Sequence, residues 1–289
     1  MKRLLGCLAL SVVLPLLAVA APPGDRVPLA ELRASTHIHG IAVDPKDPSR
    51  IYLATHHGFF VVSANGVATR VSENNNDYMG FTPHPTDPSV LYASGHPAGG
   101  GNLGFIISSD GGKTWQQISK GVKGPVDFHQ MDVSKADAKT IYGVFGGLQV
   151  SKDGGRTWRL TAKMPEDLID LAASATDVNR LYAATKHGLL ASDDGGATWQ
   201  PAHIPGPPAT MVTTAAGGVV YAFVVGNGLI RGTEPNFRWK TLSRDFGDRY
   251  VLHLAIDPIN DDKLYVVTNK ADVLASKDGG RTWAVFGAR

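Results

Sequence analysis

Histidine, methionine and aspartate recur at one place in the internal period of this chain. Thirteen residues before Tyr52, Tyr92, Tyr142 and Tyr182 stand His39, Met79, His129 and Ile169, and two residues earlier stand His37, Asp77, Asp127 and Asp167. Alternate residues of a strand share a face, so these positions are expected to form two stacked rings at one end of a central channel. More histidines fall in loops that open at the same end, in His56-His57-Gly58, Gly95-His96-Pro97 and Lys186-His187-Gly188. His253 lies one residue out of the ring register, His84 falls at the opposite end, and His203 is ambiguous.

Converging imidazoles with a thioether in register suit a transition metal, and a Met ligand tilts the choice towards copper. The expected inner ligands are His39, Met79 and His129, with His37, His57, His96 and His187 supporting or competing. Copper is expected ahead of zinc. The same mouth offers a second chemistry, because a glycosidase needs two carboxylates and Asp77, Asp127 and Asp167 are the available pool. Those carboxylates could equally orient ligand histidines or share a metal-activated water in a hydrolase. A non-catalytic protein-binding scaffold is a third reading.

The elements that position these residues repeat along the chain. Four segments read S-x-D-G-G-x-T-W, with their aspartates at Asp110, Asp153, Asp194 and Asp278. The gaps between them are 43, 41 and 84 residues, and the last is about twice the others, so one unit is hidden between the third and fourth. That unit runs from Met211 to Ser243, with Trp239 at the tryptophan place and Glu234-Pro235-Asn236 replacing the glycine pair. A degenerate first unit keeps Ser63, Asn65, Gly66 and Thr69. Each unit also carries an apolar-Tyr strand signal, such as Ile51-Tyr52-Leu53 or Leu181-Tyr182-Ala183. Six units of four short strands and many glycine turns predict an all-β, six-bladed β-propeller. The four aspartates are expected to be structural, each binding the N–H groups of its own turn.

The octapeptide resembles the Asp-box (BNR) repeat, and the resemblance covers nearly all of the chain after its first residues. That repeat recurs in sialidases, sortilin-type receptors and photosystem II assembly factors. Within the repeat class, His37-Ile38-His39-Gly40, Asp77-Tyr78-Met79-Gly80-Phe81, Ser94-Gly95-His96-Pro97 and Asp127-Phe128-His129 resemble segments of bacterial exported Asp-box proteins labelled glycosylhydrolase-like. The resemblance implies that these segments form one site. The F/Y-R-I-P segment of sialidases has no counterpart here, so classical sialidase activity is not expected.

Met1-Lys2-Arg3, an apolar run from Leu4 to Leu17 and Ala18-Val19-Ala20-Ala21 read as a signal peptide over residues 1–21. A lipobox at Leu4-Leu5-Gly6-Cys7 comes too early to compete. Residues 22–36 are expected to be a leader or a closing strand against the last blade, and residues 37–289 a single propeller domain. Cleavage removes Lys2 and Arg3, which leaves 26 basic against 26 acidic residues and no cysteine. Near-neutral charge excludes nucleic acid as the expected partner. The expectation is a periplasmic or secreted monomer, without stable membrane insertion after cleavage, that holds a metal ion or small ligand at the channel mouth.

Overall fold

Runs of β-branched and aromatic residues, cut at short intervals by Asp-Pro and Gly-Gly turns, cannot extend into helices and fold here as antiparallel meanders. The structure is a computed structural model that describes residues 24–288. The expected signal peptide and Cys7 lie outside the described residues. Six sheets follow one another along the chain, five of four strands and one of five. Their innermost strands are Ile38–Val43, Asp77–Pro83, Met131–Val133, Leu168–Ala173, Ala209–Ala215 and Val251–Ile256. Each touches the innermost strand of both neighbours, and the first touches the last, so the sheets close into a six-bladed propeller. The hidden fifth blade is present, from Ala209 to Ser243. No described helix is long and apolar enough to cross a membrane.

The hydrophobic core lies between blades, and the Asp boxes build it. In blade two Asp110 Oδ1 accepts the N–H groups of Lys113 and Thr114, while Oδ2 accepts the Thr114 hydroxyl. The turn this creates places Gly112, at φ +87°, so close to Phe59 of blade one that a Cβ there would stand 2.2 Å from Phe59 Cδ1. Trp115 packs on Phe59 and Tyr78 over the same seam. Blades three, four and six repeat this box turn at Asp153, Asp194 and Asp278. In the last three of these turns the box backbone also bonds the turn after the innermost strand, as where the Gly154 N–H donates to Lys139 O. The boxes therefore sit at the end opposite the histidine-rich loops.

Blade five lacks the box and replaces it with a side chain. Glu234 accepts the Tyr182 hydroxyl at 2.7 Å and the Ser174 hydroxyl at 2.9 Å, and also bonds Thr176, all three from blade four. Half-buried carboxylates tie the inner ring in the same way. Asp132 accepts the Ala173 N–H at 2.9 Å and the Thr82 hydroxyl at 3.2 Å, and Asp170 accepts the Val212 N–H at 3.0 Å. Burial pushes the Asp170 carboxyl up to about 7.

Of the two roles expected for residues 22–36, a leader or a closing strand, the strand pairs at a different edge. Arg26–Pro28 pairs with Val67–Arg70 as a fifth, outermost strand of blade one, not with the last blade. The reason is the helix that follows, Leu29–Ser35, whose Leu29 and Leu32 are buried in a cluster shared by blades one and six. Burying each leucine stabilises by roughly 2 kcal/mol, so the helix occupies the closing seam and leaves the strand to blade one. Beside it, Gly66 and Gly287 meet backbone to backbone, too close for a Cβ on either.

Candidate metal centre at the channel mouth

His39 owes its placement to a break in strand regularity. The register of the first innermost strand shifts between Ile38 and Gly40, leaving His39 without a cross-strand partner. Such a bulge re-aims a side chain, and His39 stands beside the start of blade two. There Asp77 opens its strand opposite His96. Gly95, next to His96 at φ +117°, passes so close that a Cβ would lie 2.1 Å from the Asp77 carbonyl oxygen. Only glycine allows that approach, and it brings His96 up beside Asp77.

Two trios result. In the first, the Asp77 carboxylate lies 3.4 Å from His39 Nε2 and 2.7 Å from His56 Nδ1. In the second, Asp127 Oδ2 lies 3.0 Å from His96 Nε2 and 2.6 Å from His129 Nε2. Within each trio the potential donor atoms all fall within 4.8 Å of one another. Three buried atoms here make no hydrogen bond: His39 Nε2, Asp77 Oδ1 and Asp127 Oδ1. Burying a polar atom unpaired is costly, so three in one place point to a partner of another kind.

The electrostatics of His39 suit a cation ligand. Burial, reinforced by the fields of His253, His56 and His37, drives the His39 imidazole down to about 4. It is therefore neutral and carries a free lone pair. Burial also pushes His253 down to about 4 and raises Asp77. The hydrogen bond with Asp127 raises His129.

Other expected site residues fall elsewhere. His56, not its neighbour His57, reaches Asp77; the His57 ring packs edge-on to His56 at 4.9 Å. His37 is exposed, with its ring 6.4 Å from those of His39 and His56. Met79 is buried on the same strand as Asp77, across the ladder from Ser94. Asp167 is exposed in blade four, where it pairs with Lys186 at 2.7 Å and His187 at 3.2 Å, and the lysine lowers its carboxyl. His84, at the opposite end, receives the Asp87 N–H in its own turn. Cavities of ≈ 410 and ≈ 240 Å³ lie away from the mouth, one against Arg50, Ser63 and Val67, the other against Lys152 and Asp194.

Comparison with known proteins agrees on architecture. The BNR/Asp-box repeat family matches residues 106–117, the box of blade two. This chain is a β-propeller built on the Asp-box repeat. No curated protein matches it in sequence. Among solved structures this propeller is similar to a GH74 xyloglucanase from Xanthomonas campestris (TM-score 0.60, 18% identity, 91% of this chain and 47% of that one). It is also similar to YCF48 bound to D1 peptide (TM-score 0.52, 16% identity, 93% and 87%). A third likeness is to the extracellular domain of a hybrid two-component system from B. thetaiotaomicron (TM-score 0.57, 13% identity, 92% and 35%). The chain spans less than half the length of the GH74 structures it matches. At these identities the likeness is one of fold.

Proposed function

We propose that this propeller is an exported metal-binding protein that holds a divalent transition-metal ion through His39, His56 and Asp77, with copper favoured over zinc. The observation that carries the reading is the pair of buried, unbonded donor atoms, His39 Nε2 and Asp77 Oδ1, standing 3.4 Å apart. Two ligands of one tetrahedral ion with bonds of about 2.05 Å are separated by roughly 3.3 Å. Imidazole and carboxylate donors accept zinc and copper alike, and the general affinity order of divalent ions places copper first. Export rests on the signal-peptide pattern of residues 1–21 and is in keeping with an extracellular domain among the similar folds.

A glycosidase reading draws less support, because both mouth carboxylates that would serve it are engaged by imidazoles. The test is metal content by mass spectrometry on untagged protein loaded with Cu(II) or Zn(II) and desalted. Retained metal that His39→Ala and Asp77→Asn both reduce at least tenfold in affinity supports the site. No retained ion under either loading overturns it.

A further inference from the structure

The second trio holds a feature that a hydrogen-bonded cluster does not explain. His96 Nδ1 lies 2.7 Å from the carbonyl oxygen of Gly101. A carbonyl only accepts, so Nδ1 carries the proton and a neutral His96 turns the bare lone pair of Nε2 outward. Nε2 lies 3.0 Å from Asp127 Oδ2, another acceptor. Two lone pairs at this distance repel unless a cation stands between or beside them. The same Oδ2 already takes His129 Nε2 at 2.6 Å. The Asp127 side chain is only 7% exposed, and its Oδ1 has no partner.

We propose that His96, Asp127 and His129 form a second site for a divalent transition-metal ion, separate from the one at His39, His56 and Asp77. Donation of the far ring N–H to a backbone carbonyl is the arrangement that fixes the tautomer and direction of a metal-ligating histidine. Here the glycine-rich turn from Ala98 to Gly104 supplies that carbonyl. Gly100 and Gly101, at φ +87° and +90°, let the chain double back over His96, and Ala98 N–H anchors the turn to Asn76 Oδ1. Asp127 supplies the charge and His129 the second nitrogen once its Nε2 releases to solvent the proton bonded to Asp127, with further coordination positions open to water. The two sites are neighbours, since Asp77 of one and His96 of the other sit opposite each other on a single ladder. The proposal extends the metal reading of the mouth, but its donors are separate from those of the first trio.

The experiment is ion stoichiometry on the full mature chain, by Cu(II) and Zn(II) calorimetric titration and mass spectrometry. Wild type runs beside His39→Ala, His96→Gln, His129→Ala and the His39→Ala/His129→Ala pair, with circular dichroism confirming each fold. Two ions in wild type, one in each single variant and none in the pair is the expected result. A single wild-type ion that every single variant abolishes means one shared site and overturns the second. A single wild-type ion abolished only by His39→Ala also overturns it while leaving the first reading standing. A single wild-type ion abolished only by His96→Gln or His129→Ala supports the second site and sinks the first. No ion in wild type means that a proton, not a metal, separates His96 from Asp127, and overturns both.

Discussion

The carboxylate of Asp77 in blade two reaches back to blade one and stands 2.7 Å from His56 Nδ1. An ion held there would bridge two blades and bind only the folded ring. Loading at about a hundred times Kd should then stabilise the protein by about 2.7 kcal/mol. Urea unfolding with and without Zn(II) measures this. His56→Ala should lose most of the gain, and an equal gain in that variant would mean the ion sits elsewhere.

Glu234 does with one side chain what four other blades do with a box turn, and it gathers three hydroxyl groups from blade four. Hydrogen bonds to a charged group contribute about 1.5–3 kcal/mol each, and they are not additive. Glu234→Ala should lower unfolding free energy by roughly 2–4 kcal/mol, with Glu234→Gln in between. A change under about 0.5 kcal/mol would show that the seam holds without it.

Asp170 gives stability a pH dependence of unusual sign for an acid. Its folded-state pKa is raised from 3.8 to about 7 by burial, so between those values the folded state binds more protons. The contribution is complete below pH 3.8 and is lost as pH rises through about 7. Wild type should therefore lose stability relative to Asp170→Asn between pH 5 and pH 8, measured in parallel urea titrations. A constant difference would show that the two backbone N–H donors keep the carboxylate charged throughout.

Gly100 and Gly112 share φ +87°, but only Gly112 lies against a neighbour, Phe59. Alanine at either position pays roughly 1–2 kcal/mol for its backbone, and at Gly112 overpacking adds about 1–3 kcal/mol. Gly112→Ala should be the more damaging by at least about 1 kcal/mol in thermal or urea unfolding. Equal losses would remove the packing role given to the box glycines.

The ring of blades was legible because its signals are local. Box spacing located even the fifth blade from Trp239 and a doubled gap. The site was legible as a neighbourhood and less so atom by atom. Simple alternation put His37, Asp77, Asp127 and Asp167 in one ring, but most innermost strands shift register at the mouth end, as at Ile38/Gly40 and Val251/His253. A one-residue shift turns each later side chain to the other face, and His253 stands one place past that shift, at the position Gly40 holds in blade one. The choice of His56 over His57 depends on the tilt of a two-residue turn, and sequence spacing does not encode that tilt. Asp132 and Asp170 carried no sequence signal either, because the groups they satisfy are backbone N–H donors of the next blade.

Each blade is woven from one unbroken stretch of chain, and no described strand passes between the first sheet and the last. The circle is thus a bracelet with a clasp, made of Leu29, Leu32, the Arg33–Asp272 pair and the meeting of Gly66 with Gly287. Every other seam is backed by covalent continuity from blade to blade, whereas this one is held by contact alone. Under heat or tension it is the seam expected to part first, since no covalent link backs it. His39 of blade one lies within the field of His253 of blade six, so the end of the molecule that gathers histidines is also the end that feels the clasp open.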